Sequence, residues 1–265
     1  GPIIPTPGAV MECTKLLYEY LGDLIVLDVG GATTDLHSVS VESDQVARLM
    51  ISPEPKAKRT VEGDLGVYVN RWKVVESIGE EKLREQCREQ GFSMEHALET
   101  YRAIPKTEEE VKLVELLTRE AVVKAAERHA GRLRYIYGPS GRSTVAEGKD
   151  LTQVKYIVGT GGALTRLPHR EEIMREITRC NESGMLLLPG EHAQILVDHD
   201  YIMASLGVLS KRYPQAAARL LEQSLGITFP ERKAEEPVPV CNKELSRLET
   251  QRQQREEELQ RHIEE

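Results

Sequence analysis

An apolar run that ends in a glycine-rich polar turn limits the folds open to this chain more than any other segment does. Residues 24 to 27 are Leu-Ile-Val-Leu, and the next eight residues, DVGGATTD, place two glycines between Asp28 and Asp35. A short continuous apolar run is typical of a strand that is covered on both faces. The looser alternation from Leu36 to Val41 predicts a second strand, so we expect a hairpin with the glycines at its tip.

The hairpin tip has the composition of a phosphate-binding turn. Gly30 and Gly31 carry no Cβ atom, so a phosphate can approach the backbone amides closely. The carboxylates of Asp28 and Asp35 are ligands of the kind that hydrated Mg²⁺ prefers. The hydroxyl of Thr33 could contact a terminal phosphate or an attacking water. The simpler alternative is an ordinary hairpin turn whose acids are solvated.

A second glycine-rich turn follows an apolar run late in the chain. The segment IVGTGGALTRLP, residues 157 to 168, places Gly159, Gly161 and Gly162 after a strand predicted over Val154 to Val158 and before a helix. In this context the backbone can lie flat against a base or a sugar. By itself such a turn is more often a tight strand-to-helix connection, so its weight comes from the pairing with the first turn.

The remaining pattern alternates strands and helices around a charged middle segment. Residues 107 to 110, Thr-Glu-Glu-Glu, form a capping box, which predicts a helix that runs to about His129 with one buried face. We therefore expect an α/β fold in which residues 1–55 and 151–229 make one α/β subdomain and residues 56–150 make a mostly helical insert. Further predicted elements are helices over 8–21, 169–180, 200–212 and 214–225, and strands over 45–51, 185–188 and 195–197.

The composition argues against several classes of protein. The net charge is -8 and no basic run is present, so a nucleic-acid partner is not expected. No stretch reaches the roughly 18 apolar residues that cross a bilayer, so a membrane is not expected either. The four cysteines show no Cys-x-x-Cys spacing, which argues against a zinc site or a disulfide framework and favours the cytoplasm. The last 35 residues include 17 charged ones and no aromatic residue, which predicts a flexible or helical charged tail over 230–265.

Both glycine-rich turns resemble motifs of a known ATPase superfamily. Asp28 to Asp35 looks like the second phosphate motif of the actin and DnaK-type chaperone ATPases, and Gly159 to Ala163 looks like their adenosine motif. More narrowly, a set of segments resembles the MutL family found beside glutamate mutase and related adenosylcobalamin-dependent aminomutases. These segments are IIPTPGAV, DVGGATTDLHSV, RTVEGDLG, GKDLTQVKYIVGTGGAL and DHDYIMASLGVL. The resemblance covers about residues 1 to 227 and implies an actin-like ATPase lobe with the ribonuclease H-like fold.

The resemblance also implies roles for individual residues. By it, Asp28 and Asp35 assist Mg²⁺ and, together with Thr33, are the candidate catalytic residues. Glu62 would begin, with the two residues after it, the helix that leads into the insert near the nucleotide. The implied nucleotide-binding residues are Gly30, Gly31, Ala32, Thr33, Glu62, Gly159, Gly161, Gly162 and Ala163.

The same resemblance implies ATP and Mg²⁺ as cofactors and a chaperone-like ATPase as the function. Such a protein reactivates an adenosylcobalamin-dependent aminomutase by promoting the exchange of damaged cobalamin, and a second reactivase subunit is a further expected partner. The superfamily's first phosphate motif, an Asp-x-Gly-x-Thr hairpin in the opposite lobe, has no counterpart before Gly22. We therefore expect this chain to be the C-terminal lobe, with little ATPase activity unless an N-terminal lobe is added.

Two other functions are compatible with the residues. A small-molecule kinase of the same superfamily needs a general base, for which His37 is the nearest candidate, although a lone histidine there is more often structural. A scaffold half without catalysis is the third function considered. If the chain forms a full phosphate site without the first phosphate motif, Arg59, Lys56 or Lys58 could supply the missing contacts. Arg166 is expected to be a surface charge.

Overall fold

A five-stranded mixed sheet organises the part of the chain that this computed structural model describes, residues 5–139 and 141–230. The strands, in chain order, are β1 (Leu24–Val29), β2 (Thr34–Val39), β3 (Ala57–Glu62), β4 (Arg132–Gly138), β5 (Gly141–Glu147), β6 (Tyr156–Thr160) and β7 (Gln194–Val197). The order in the sheet is β3-β2-β1-β6-β7, while β4 and β5 form a separate hairpin. Because β1, β6 and β7 are parallel, their carboxyl ends lie at the same end of the sheet. The predicted α/β class is confirmed.

The described residues form ten α-helices. They are α1 (Thr6–Leu21), α2 (Asp44–Ala47), α3 (Arg71–Ile78), α4 (Glu80–Glu89), α5 (Met94–Glu99), α6 (Glu108–His129), α7 (Gly161–Arg166), α8 (Arg170–Arg175), α9 (Met203–Ser210) and α10 (Pro214–Leu225). None of these helices is long and apolar enough to cross a membrane.

The side chains of β1 fill two separate cores. Leu24 and Val26 pack on the face that α1, α9 and α10 cover. Ile25 and Leu27 pack on the opposite face, which α6 and the shorter helices α3 to α5, α7 and α8 cover. All four side chains are fully buried, and this two-sided burial explains the continuous apolar run. The prediction of a strand covered on both faces is confirmed.

The capping box is present at the start of α6. The Thr107 hydroxyl accepts a hydrogen bond from the Glu110 amide at 3.2 Å, and the Glu110 carboxylate accepts one from the Thr107 amide at 3.1 Å. The two bonds satisfy amides that a helix start otherwise leaves free. The predicted helix is therefore confirmed with its cap.

Elements of the predicted insert belong to the sheet or cover it. β3 lies within residues 56–150 and pairs with β2 along its whole length, from Thr34↔Glu62 to Val39↔Ala57. α6 shares one hydrophobic core with β1, and the described residues belong to one compact unit. The sheet thus takes one strand, and its covering layer takes α6, from the segment predicted as a mostly helical insert. The reason is that the apolar stripe of α6 and the face of β1 each need a partner to exclude water.

The structure corrects two predicted strands. Residues 45–51 begin instead with α2, because the Ser43 hydroxyl accepts an amide hydrogen bond at 3.2 Å and caps a short helix. Residues 185–188 form only an isolated bridge, between Leu186 and Arg132, with further backbone hydrogen bonds to Gly131 and Leu151.

The other elements follow the sequence prediction with local changes. The helix predicted over 169–180 is α8 followed by a 3₁₀ turn, Glu176–Thr178. The β4–β5 hairpin was not predicted, and its strands expose most of their residues. The predicted charged tail lies, apart from Pro230, outside the described residues.

Candidate functional site

The ends of three strands bring both glycine-rich turns together. Asp28, near the end of β1, is the register partner of Asp35 on β2 and of Thr160 on β6. α7 begins directly after Thr160, at Gly161. Ligands of α/β proteins commonly bind beyond the carboxyl ends of parallel strands. The topology therefore places the two turns side by side at the usual position of a ligand site.

The tip of the β1–β2 hairpin turns its carbonyl groups inward. The carbonyls of Gly30 and Gly31 accept hydrogen bonds of 2.7 to 3.2 Å from the amides of residues 67–69. The Gly30 amide bonds to the Thr33 carbonyl at 2.9 Å. In the described part of the chain the amides of residues 31–33 have no hydrogen-bond partner. A row of free amides of this kind suits an anion such as phosphate.

A second loop, residues 63–70, holds this tip in place. The Asn70 side-chain amide donates hydrogen bonds of 2.8 Å to the carbonyls of Ala32 and Gly63. A Cβ atom on Gly66 would lie 2.2 Å from the Ala32 carbonyl carbon, so the loop can approach this closely only with glycine. Sequence reasoning missed this support, for which Gly66 in GDLG was the available signal. The tip is thus fixed before any ligand binds.

Asp28 and Asp35 form a partly buried acid pair beside the free amides. Burial, reinforced by the carboxylates of Asp35 and Asp198, raises the pKa of Asp28 to about 6. Burial also raises the pKa of Asp35, while the Thr33 hydroxyl and Arg59 oppose this effect. Within the described residues, the Oδ1 atom of Asp35 is buried without a hydrogen-bond partner. A cation or its bound water would satisfy that atom.

The acid pair fits Mg²⁺ only as a partly hydrated ion. Among residues 5–139 and 141–230, no group of three or more His, Cys, Asp or Glu side chains could hold a metal ion by itself. Mg²⁺ keeps several waters and is commonly bound through one or two carboxylates plus phosphate oxygens. Asp28 and Asp35 match that pattern.

The three predicted glycines of the second turn have different surroundings. Gly161 has φ +87°, and a Cβ atom there would lie 2.5 Å from the Oδ1 atom of Asp28. A Cβ atom on Gly159 would lie 2.6 Å from the sulfur of Met174. Gly162, in contrast, has open space around it, with nothing within 4 Å of an added Cβ atom. The positive φ and the close backbone therefore require glycine at position 161, whereas at position 159 the flexible end of Met174 would have to move, and Gly162 lines the adjoining cavity.

A cavity of ≈ 280 Å³ adjoins both turns. The rings of Tyr68 and Tyr101 stack on its wall with their centroids 6.1 Å apart. An apolar cavity with aromatic walls next to exposed backbone suits a flat ring such as a base. The lining also includes Gly30, Gly31, Gly162, Ala163 and Arg166. Arg166 is exposed, as expected, and in addition borders the cavity.

Glu62 and Asp64 bind an arginine and do not begin a helix. Arg128, near the end of α6, contacts Glu62 at 2.6 Å and both oxygens of Asp64 at 2.8 Å. Glu62 is the last residue of β3, and the next helix, α3, starts only at Arg71. The expectation of a helix start at residues 62–64 is therefore wrong. The bidentate ion pair and the strand pairing account for the difference.

The alternative candidates from the sequence lie in other environments. His37 is fully buried, and burial lowers its pKa to about 3, so it has no access to a substrate. Lys56 lies over the Tyr18 ring at 4.0 Å, and Lys58 donates a hydrogen bond to the His129 carbonyl at 3.3 Å. These two lysines are engaged away from the hairpin tip.

Sequence reasoning missed Asp198, which connects the end of β7 to the site. It is fully buried and accepts hydrogen bonds from the hydroxyls of Thr160 at 2.8 Å and Ser224 at 2.6 Å. It also accepts hydrogen bonds from the amides of Ile202 and Met203 at 3.2 and 3.0 Å. An aspartate that follows a short apolar strand is the same signal that identified Asp28, and it could have identified Asp198.

Comparisons with known proteins agree on one family. The family model described as MutL protein matches residues 1–225. A curated relative, Protein MutL of Clostridium tetanomorphum, is 35% identical over 237 residues, which cover 85% of this chain and 51% of the relative. The chain thus spans about half the length of that relative.

Proposed function

The chain belongs to the MutL protein family, and on that premise we propose that it is the ATP-binding lobe of a chaperone-like ATPase with an actin-like fold. In this proposal the whole protein reactivates an adenosylcobalamin-dependent aminomutase by promoting the exchange of damaged cobalamin. ATP binding and hydrolysis would move two lobes against each other, because a phosphate held between them favours the closed state.

One observation carries the proposal more than any other. Free amides at residues 31–33 and the acid pair of Asp28 and Asp35 lie at one end of the sheet, next to the open position of Gly162. An anion and a divalent cation would together supply the partners that these groups lack among the described residues. A nucleoside triphosphate with Mg²⁺ provides both.

Each part of the site has its own proposed role. The amides of residues 31–33 bind the phosphates, and the Thr33 hydroxyl lies beside them. Asp28 and Asp35 hold the waters or the inner sphere of Mg²⁺, which when bound offsets negative charge on the phosphates. The cavity next to Ala163 takes the base. Asp28, with a pKa of about 6, is mostly ionised at neutral pH and therefore available to a cation.

This chain covers 51% of the relative, and the half of the relative that it does not cover motivates a two-lobe mechanism. Phosphoryl transfer depends on positioning the terminal phosphate between donors and a metal ion. In our proposal the opposite lobe supplies one wall of that site. Each missing charge-assisted contact costs about 1.5 to 3 kcal/mol, so two or three of them change affinity by several powers of ten.

Titration calorimetry with Mg-ATP tests the half-site. We expect the 265-residue chain to bind Mg-ATP only weakly and to release negligible phosphate. We expect the full-length protein to bind Mg-ATP tightly and to release phosphate steadily. Micromolar binding by this chain with steady phosphate release would contradict the half-site.

Substitution of Asp28 tests the metal role in the full-length protein. Asp28→Ala should abolish Mg-dependent ATP turnover with the fold retained, whereas Asp44→Ala, an exposed aspartate beyond the opposite end of β2, should leave turnover unchanged. Turnover should rise when an inactivated, cobalamin-loaded aminomutase is added. Stimulation by a small-molecule acceptor instead would identify a kinase.

A further inference from the structure

The loop after β7 holds a tyrosine in a backbone conformation that side chains rarely adopt. Tyr201 has φ +53° and is the only non-glycine residue with positive φ in the described part of the chain. For a bulky residue such a value is strained. Strain of this kind persists only where the surrounding structure enforces it, and it is concentrated at ligand-binding and catalytic sites.

Asp198 enforces this conformation from both sides. The Tyr201 amide donates a hydrogen bond to the Asp198 carbonyl at 3.1 Å. The next two amides, those of Ile202 and Met203, donate to the Asp198 carboxylate at 3.2 and 3.0 Å. Because Asp198 is fully buried, the backbone on either side of Tyr201 is tied to a fixed point.

The same aspartate places the tyrosine beside the site. Asp198 bonds to Thr160, which is the register partner of Asp28. Partial burial and the carboxylates of Asp28 and Asp198 raise the pKa of Tyr201, while the guanidinium of Arg166 opposes them. The phenol therefore lies in the field of Asp28, Asp198 and the cavity-lining Arg166.

Packing does not explain the strained tyrosine. Its side chain is 53% exposed, and it is absent from the hydrophobic clusters on both faces of the sheet. An exposed ring gains little from burial that could offset backbone strain. A contact with a ligand would account for a large side chain that is held in this place.

We propose that Tyr201 is a ligand-contacting residue whose hydroxyl donates a hydrogen bond to the phosphate chain of the nucleotide. The identity of the ligand rests on the proposed function. A neutral donor suits this position, since a cationic side chain there would form an ion pair with Asp28 and compete with Mg²⁺ for the carboxylate. Tyrosine places such a donor next to Asp28 without that competition.

Two substitutions distinguish the effect of the Tyr201 hydroxyl on affinity from the effect of its strained backbone on stability. Tyr201→Phe removes only the hydroxyl, so affinity for Mg-ATP should fall about tenfold or more with the unfolding temperature unchanged. Tyr201→Gly removes the side chain and also relieves the strain, so affinity should fall at least as far while the unfolding temperature stays equal or rises. Ligand-observed NMR on the 265-residue chain measures the weak dissociation constants, and calorimetric scans without ligand give the unfolding temperatures.

Tyr213 provides the matched control. It is 56% exposed, has φ -136° and precedes α10, so Tyr213→Phe should leave the affinity unchanged and Tyr213→Gly should not raise the unfolding temperature. Equal Mg-ATP affinity in wild type, Tyr201→Phe and Tyr201→Gly would overturn the inference alone. A lower unfolding temperature in Tyr201→Gly than in wild type would also overturn it, because the side chain would then stabilise the fold. Absence of Mg-ATP binding by the wild-type and full-length proteins would overturn the proposed function together with the inference.

Discussion

Two groups of polar residues lie beyond opposite ends of β2 and differ in how far their hydrogen bonds are satisfied within the fold. At the end that follows Val39, the fully buried Lys149 donates to the carbonyls of Ser40 at 2.9 Å, Pro55 at 2.8 Å and Lys56 at 3.0 Å. We call this group, together with Asp150, the lysine hub. Asp150 accepts three further hydrogen bonds of 2.7 to 2.9 Å from the neighbouring loops.

The strand-end site at the other end of β2 leaves several groups without partners. The amides of residues 31–33 and the Oδ1 atom of Asp35 have none within the described residues. The pKa of Asp28 is raised to about 6, and Tyr201 carries backbone strain. Of these groups the Asp35 atom is buried, and buried polar atoms in folded proteins are otherwise nearly always paired. The hub thus pairs its buried groups within the fold, whereas the site leaves one buried oxygen and a row of amides without a protein partner among the described residues.

Removal of Lys149 should give the largest effect on stability. Lys149→Ala leaves the carbonyls of Ser40 and Pro55 without a donor, while the Lys56 carbonyl still accepts the Ser40 amide. Each unsatisfied buried group costs about 1 to 3 kcal/mol. We expect a loss of about 3 to 5 kcal/mol in the free energy of unfolding, measured with urea. The exposed Lys82 is the control, and Lys82→Ala should stay within about 0.5 kcal/mol of wild type. A loss at Lys149 as small as that of the control would remove the distinction between hub and site.

Alanine substitutions at Gly161 and Gly162 should distinguish a position where packing requires glycine from a position that faces the ligand. Gly161→Ala forces a methyl group to within 2.5 Å of Asp28 at φ +87°, so we expect a loss of about 2 to 3 kcal/mol in thermal unfolding. Gly162→Ala meets no atom within 4 Å and should be neutral or slightly stabilising in α7. If the two variants lose equal stability, the open position assigned to Gly162 is incorrect.

Neutralising Asp28 should change stability in the opposite direction. Its folded-state pKa is raised from 3.8 to about 6, so the folded state holds the proton more tightly than the unfolded state does. The ionised group therefore lowers stability as pH rises from about 4 to about 6, and the cost is fully present above that range. Asp28→Asn stays neutral, so it should be more stable than wild type by up to about 3 kcal/mol at pH 7.5.

The pH dependence provides the check on this last effect. The difference between Asp28→Asn and wild type should vanish below about pH 4, where the wild-type carboxyl is protonated in both states. Urea unfolding at both pH values, with a chelator present, measures it, and Asp44→Asn is the exposed control. Saturating Mg²⁺ should reduce the gain, because the ion stabilises only the wild-type pair. A gain that persists unchanged at pH 3.5 would point to a packing effect.

The sequence by itself determined the features whose causes are local. The apolar run before Asp28 specified a strand covered on both faces, the box from Thr107 to Glu110 specified the start of α6, and the glycines at 30–31 specified a tight hairpin tip. Each of these signals lies within a few residues, because strand alternation, helix capping and turn conformation depend on neighbours in the chain.

Only the tertiary structure decided which polar groups are satisfied. Lys149 reaches the Ser40 carbonyl across 109 residues of chain, and Asp198 reaches Thr160 across 38. β3 was not predicted because an exposed edge strand with charged residues has no apolar stripe. The strain at Tyr201 depends on hydrogen bonds to Asp198, which no sequence pattern shows. Hydrogen bonds between distant segments form only when the elements pack, and the same packing enforces unusual backbone angles. The sequence therefore located both glycine turns, and packing decided which of their atoms lack a hydrogen-bond partner.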